Sequence, residues 1–146
     1  MTYLAIARGA RGIFYFTYHG SQYFIKESPR HWENLKTIVG ELRSVYPLLI
    51  ATEVESGVIN TSVAGVNQPS LFWTVRRVTE GNSLILAGNY LIGVNGTKYN
   101  VTGTFGLKNH SHSDLRVILE KRVIPATNGI FSDNFKPYEV HIYRLD

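Results

Sequence analysis

The sequence predicts a mainly β protein, an antiparallel β-sandwich of the Ig-like or Greek-key type that a strand–helix segment of α/β character precedes. Two observations predict the sandwich. Short apolar runs separated by turn signals fill the second half of the 146-residue chain. The last run, residues 138–145, alternates between two faces, as a strand that closes a sheet does. A third observation predicts the segment before it, because helical spacing dominates the first fifty residues.

The first fifty residues predict two helices around one strand. Residues 2–7 suit a short helix that Gly9 ends. Residues 10–18 form a continuous apolar run, which is typical of a strand buried on both faces, with Phe14 and Phe16 in the core. A second helix begins at Ser28-Pro29 and ends or kinks at Pro47. One apolar stripe runs along it: Trp32, Leu35, Ile38, Val39, Leu42, Val45 and Tyr46.

The rest of the chain predicts strands. Residues 51–70 are polar and rich in small residues, which predicts a linker with one short strand at 58–63. Glu80-Gly81-Asn82 and Asn95-Gly96 are turn signals, and the second is typical of a hairpin. The strand-like runs that follow the linker are residues 71–78, 83–87, 90–94, 99–105, 115–120 and 138–143.

Composition excludes several classes of protein. The chain has no cysteine, which removes disulfides and thiolate metal sites. Its formal charge of +4 comes from scattered basic residues, whereas a nucleic-acid-binding protein concentrates them on one stripe. No apolar run approaches the roughly 20 residues of a membrane helix. We therefore expect no nucleic-acid partner, no membrane span and no cofactor.

The two halves of the sequence differ in architecture. A buried parallel strand needs parallel neighbours, and residues 1–50 supply one such strand. We therefore expect a preceding N-terminal portion, with residues 1–50 as the end of a larger α/β unit, residues 51–70 as the linker and residues 71–146 as the β-sandwich domain.

Three stretches carry a family resemblance: GARGIFYFTY, PRHWENLKTIVGELRSVYPLL and the closing GIFSDNFKPYEVHIYRL. The first two resemble the last strand and last helix of a (β/α)8-barrel glycoside hydrolase. The third, together with LFWTVRR and LILAGNY, looks like the β-sandwich appended to many such enzymes. The F-x-P-Y-x-V-H-x-Y ending is the most specific of these motifs, and none of them is catalytic.

The resemblance implies a carbohydrate-active parent, secreted or periplasmic, of which this chain is the C-terminal portion. Such hydrolases use a pair of carboxylates, which sit on barrel strands that this chain lacks. The resemblance thus implies no catalytic residue here and a sandwich that supports the barrel or its substrate cleft. The alternative is an independent carbohydrate-binding or protein-interaction module.

Three residues are candidates for substrate contact. Tyr18 and His19 lie at the end of the predicted barrel strand, the face where such barrels bind substrate. Trp73, with Tyr90 and Tyr99, could form a stacking platform for sugars, although burial in the core is the favoured interpretation of Trp73.

The histidines and the helix carry the remaining predictions. His110 and His112 near Asp114 suggest a solvated turn rather than a metal site, because the spacing fixes no third ligand. We expect His141 to be a packed or hydrogen-bonded structural histidine. The apolar face from Trp32 to Tyr46 must pack on something, which predicts docking on the sandwich or a homo-oligomer through that face.

Overall fold

A computed structural model describes residues 1–15, 25–51, 53–54, 58–64, 71–79, 82–90, 98–107 and 114–145. Within these ranges the helices are α1 (Thr2–Ala7), α2 (Pro29–Ser44) and α3 (Tyr46–Ile50), with a 3₁₀ turn at Ile25–Glu27. The strands are β1 (Glu53–Val54), β2 (Val58–Ala64), β3 (Leu71–Thr79), β4 (Asn82–Asn89), β5 (Val101–Leu107), β6 (Leu115–Val117), β7 (Arg122–Ile124), β8 (Ile130–Phe135) and β9 (Val140–Leu145). None of the described helices is both long and apolar enough to span a membrane.

The strands form two open sheets. Six strands pair in the order β1-β3-β4-β9-β6-β7, and three in the order β2-β5-β8. Every described pair is antiparallel, so the predicted mainly β, antiparallel fold is confirmed. The predicted closing strand is confirmed as β9, which lies between β4 and β6 and pairs with both, but it begins at Val140 rather than at residue 138.

The inner face of the six-stranded sheet packs against the three-stranded sheet. Tyr143 and Leu145 of β9 share one buried cluster with Phe105 of β5 and with Phe131 and Phe135 of β8. The rings of Phe105 and Phe131 stack with centroids 4.9 Å apart, and Phe131 meets Tyr143 edge-on at 5.0 Å. Because side chains alternate along a strand, this core uses every second residue of β9.

The outer face of the six-stranded sheet packs against the helical segment. Ile6 of α1 and Val45, which follows α2, are buried with residues of three strands: Phe72, Leu84, Leu86 and Ile142. Buried Arg76 of β3 reaches the carbonyl of Ile6 with its Nη2 atom at 3.4 Å. The N-terminal segment therefore forms a third layer through α1 and Val45, whereas most of the face from Trp32 to Tyr46 that was predicted to dock is only partly covered.

Helix α2 begins and ends as its sequence predicts. Pro29 occupies the first helical position, where its missing N–H removes no helical hydrogen bond. The helix breaks at Val45, because Pro47 cannot donate to the carbonyl four residues earlier, and α3 follows. None of the residues of α2 is fully buried, so the predicted apolar stripe is only partly covered.

The stretch predicted as a buried strand differs from that expectation. Residues 10–15 have no helix or strand, and Phe14, predicted as core, is 98% exposed. A strand needs a neighbour for its N–H and C=O groups, and neither sheet pairs with residues 10–15. Residues 16–18 of the predicted strand, including Phe16, lie outside the described residues.

Other differences concern the sandwich itself. The short strand predicted at 58–63 is confirmed as β2, which pairs with β5, but the linker also supplies β1, which was not predicted and pairs with β3. The short strands β7 and β8 were not predicted. Tyr90 follows β4 without belonging to a strand, and the Asn95-Gly96 hairpin signal lies outside the described residues.

Candidate functional site

The predicted substrate-contact residues do not come together in the part of the chain that the structure describes. Tyr18 and His19 lie outside it, as do His110 and His112. Trp73 lies on β3 with 41% of its surface exposed, so its predicted burial in the core is wrong. As far as β1 is described, it pairs with β3 only opposite Arg76 and Arg77, which leaves Trp73 at the edge of the sheet.

A cleft of about 460 Å³ lies elsewhere, between the two N-terminal helices and the outer face of the six-stranded sheet. Four aromatic side chains line it: Tyr3 of α1, Phe72 of β3, Tyr90 after β4, and Tyr138 before β9. The rings of Phe72 and Tyr90 lie 6.3 Å apart and are tilted by 40°. The cleft is thus an aromatic-walled site of the size that small-molecule sites have.

Buried Asn89 fixes the rim of this cleft. Its Nδ2 atom donates to the carbonyl of Tyr99 at 2.8 Å and to that of Lys136 at 3.2 Å. These bonds tie the end of β4, which leads into Tyr90, to the turn that carries Tyr138. Tyr138 itself has φ +63°, an uncommon conformation for a bulky residue. The aromatic wall is therefore held by specific hydrogen bonds.

Glu41 of α2 brings a negative charge to the cleft. Its Oε2 atom accepts a hydrogen bond of 2.5 Å from the phenol of Tyr3. Burial and this hydrogen bond to Glu41 raise the pKa of Tyr3 well above its ordinary value. The phenol of Tyr3 therefore keeps its proton and donates it in the hydrogen bond to Glu41. Such an arrangement can bind and orient a ligand.

A second polar group, the Asp133 cluster (Glu120, Arg122, Asp133, His141 and Tyr143), lies where β7, β8 and β9 meet. Asp133 is its centre. The guanidinium of Arg122 donates to both carboxylate oxygens, at 3.1 and 2.7 Å, and Tyr143 donates its phenol proton at 2.8 Å. Such bidentate, charge-assisted bonds are among the strongest in proteins.

His141 is the buried member of the Asp133 cluster, with 2% of its surface exposed. Its Nδ1 atom lies 2.7 Å from Asp133 Oδ2, and its Nε2 atom lies 3.2 Å from Glu120 Oε1. Its ring also stacks on Phe135 with centroids 4.6 Å apart. The prediction of a packed and hydrogen-bonded structural histidine is confirmed.

Electrostatics in the Asp133 cluster follow from these contacts. Burial alone would raise the pKa of Asp133, but hydrogen bonds from His141, Arg122 and Tyr143 outweigh it and hold that pKa well below its usual range. Burial and the charge of Asp133 raise the pKa of Tyr143 far above its ordinary value. The carboxylate of Asp133 therefore stays ionised. It suits a structural role that links the neighbouring strands better than it suits proton transfer.

The sequence did not predict the cleft, and of the Asp133 cluster it predicted the structural role of His141. Tyr90 was considered as a sugar-stacking residue and does line the cleft, whereas Glu41, which also lines it, was not among the predicted site residues. No local pattern joins Tyr3 to Glu41, which are 38 residues apart. Asp133 and His141 belong to one closing segment, but their pairing depends on the stacking of the two sheets.

No three histidine, aspartate or glutamate side chains among the described residues are arranged to hold a metal ion. No family model, curated protein or solved structure matches the chain. The function is therefore inferred from the sequence and the geometry alone.

Proposed function

We propose that this chain is the C-terminal β-sandwich portion of a carbohydrate-active hydrolase, in which it supports helices and the substrate cleft and performs no catalysis itself. The observation that carries the proposal is the outer face of the six-stranded sheet. That face is apolar and buried beneath the helical segment through Ile6 and Val45. A sheet that is buried on both faces acts as a platform between two layers.

The partly covered face of α2 supports the platform role. Trp32, Leu35 and Ile38 are half-buried, and Tyr46 beyond the helix end is 57% exposed. Leu35, Ile38 and Tyr46 therefore keep apolar surface that a second protein surface could cover. In the proposed parent this face packs on the barrel, and in the isolated chain it is available to a second copy.

The carboxylates support a role without catalysis. Glycoside hydrolysis requires two carboxyl groups that flank the scissile bond. Asp133 is held by three donors in its cluster. Among the described residues that line the cleft, Glu41 is the acidic one, and it is bonded to Tyr3.

Light scattering and apolar-dye binding on one sample test this proposal. We expect the chain to self-associate or to bind the dye through the α2 face. Leu35→Glu should abolish either behaviour, because it places a charge in the stripe. Lys36→Gln, one residue along on the exposed side, is the matched control and should change neither.

Two results would contradict the proposal. A monomer that binds no dye would mean that the α2 face seeks no partner. Hydrolysis of chromogenic glycosides by the purified chain, retained after removal of trace contaminants, would mean that it carries its own catalytic groups.

A further inference from the structure

The charge on Glu41 has no cationic counterpart in the described part of the chain. Its half-buried carboxylate accepts a bond from the neutral phenol of Tyr3. No lysine, arginine or histidine side chain among the described residues lies within ion-pair distance of it. A carboxylate that is partly removed from water gains most from a cation, because an unpaired charge is costly in a low-dielectric site.

The aromatic walls of the cleft also favour a positively charged ligand. The face of an aromatic ring is negative and attracts ammonium groups, most strongly the alkylated ones that shed water easily. The cleft already shows such a contact at its rim, where Lys98 Nζ lies 5.4 Å from the ring centre of Tyr138. Glu41 and the four rings of Tyr3, Phe72, Tyr90 and Tyr138 therefore attract a cation, and they do so beside two positive groups, Lys98 and the N-terminus at Met1, which also lines the cleft.

The apolar residues of the cleft restrict the ligand further. Leu4, Ile38 and Val140 complete walls that a bare ammonium ion could not contact. The volume of about 460 Å³ also exceeds the needs of a single ammonium group. Alkyl groups around the charge would fill this space and bury apolar surface against these side chains.

We propose that this cleft binds a small alkylated organic cation, of the quaternary ammonium type, with its charge against Glu41 and the aromatic rings. The strained conformation of Tyr138 supports this assignment, because such conformations persist mainly where a site requires them. The site does not depend on whether the chain belongs to a hydrolase.

Titration of the chain with choline, followed by NMR chemical shifts or calorimetry, tests the proposal. The key comparison is 3,3-dimethyl-1-butanol, which has the shape of choline without its charge. We expect choline to bind about tenfold more tightly than this neutral analogue, since the charge contributes through Glu41 and the rings. Glucose and cellobiose serve as uncharged polyhydroxyl probes.

Three variants locate the binding. Glu41→Gln removes the charge but keeps an oxygen for Tyr3, and it should weaken choline binding about tenfold. Tyr90→Leu replaces a part-exposed ring by an alkyl group and should weaken it severalfold. Glu33→Gln removes an exposed carboxylate from the same helix, so it is the matched control and should bind like the parent chain.

Several outcomes would overturn the proposal. Equal affinity for choline and the neutral analogue would show an apolar pocket without charge selectivity. Saturable binding of the sugars but not of choline would assign the cleft to carbohydrate. Absence of saturable choline binding, or equal binding by the parent chain and a folded Tyr90→Leu variant, would remove the site altogether.

Discussion

The two faces of strand β9 show how one sheet can serve two purposes. Tyr143 and Leu145 point into the core between the sheets, where neighbouring strands and stacked rings enclose them. Val140 and Ile142 point the other way, toward a layer of short helices. The inner face is sealed by hydrogen-bonded strands, whereas the outer face is covered in part and borders a cleft.

This difference between the two faces predicts that one determines the stability of the fold and the other its binding. The inner face combines the aromatic core with the Asp133 cluster, which ties β7, β8 and β9 together. The outer face depends on α1, a helix of six residues that would not persist without its contacts. We therefore expect the inner face to set the unfolding free energy and the outer face to provide the adaptable surface for ligands and partners.

Truncation of one core residue on each side should produce the largest effects and the clearest contrast. Phe105→Ala should lower the unfolding free energy by about 3–5 kcal/mol, because its ring contacts three other aromatic rings. Ile6→Ala should cost about 2–3 kcal/mol, since α1 can shift to fill the space. Urea denaturation measures both losses of unfolding free energy. Equal losses would contradict the proposed difference in stability between the inner and outer faces.

Removal of the charge of Asp133 should cause the next largest loss of unfolding free energy. Asp133→Asn leaves His141 and Arg122 without their carboxylate and should cost about 2–3 kcal/mol at neutral pH. We expect less than the full cost of breaking a buried pair because the side chain of Arg122 is about one-third exposed. Asp114→Asn, at an exposed position, is the control and should change stability by less than about 0.5 kcal/mol.

The same variant predicts a pH dependence. The pKa of folded Asp133 lies below its ordinary value of 3.8, so its contribution is complete above that pH. The contribution is lost as the pH falls from 3.8 toward the folded pKa. Acid titration of stability should therefore be steeper for the parent chain than for Asp133→Asn in this range. Parallel curves would contradict the assigned role of Asp133.

Two glycines allow a finer comparison, Gly103 of β5 in the core between the sheets and Gly88 of β4 on the outer face of the six-stranded sheet. A Cβ at Gly103 would lie 2.4 Å from Leu71 Cδ1 inside the core, and one at Gly88 would lie 2.6 Å from Phe72 Cζ on the outer face. Gly103→Ala should cost about 2–3 kcal/mol, because its neighbours are enclosed. Gly88→Ala should cost about 1 kcal/mol, because the ring of Phe72 can move into the cleft. Thermal unfolding gives both values, and a larger loss for Gly88→Ala would contradict an open cleft.

The sequence predicted what depends on local pattern. Helix α2 between Pro29 and the Pro47 break, and the strands β3, β4, β5 and β9, follow from periodicity and turn residues. Strand β8 was missed because Ser132, Asp133 and Asn134 resemble a loop in composition. Phe14 was misassigned to the core because an apolar run alone does not provide a neighbouring strand.

The candidate site was harder to predict because it is assembled from distant segments. Tyr3 and Glu41 meet only because α1 and α2 dock beside each other over the outer face. That docking depends on tertiary packing of Ile6 and Val45, which no local pattern specifies. Tyr138 joins them through the turn before β9, held in place by Asn89.

Methyl NOEs in solution test the central claim most directly, namely that the helical segment covers the outer face of the six-stranded sheet. We expect NOEs from the methyl groups of Ile6 to the apolar side chains of β3 and β4 on that face, which are Phe72, Leu84 and Leu86. Absence of these NOEs, with random-coil shifts for residues 2–7, would show a detached helix. The cleft and the platform would then both be lost.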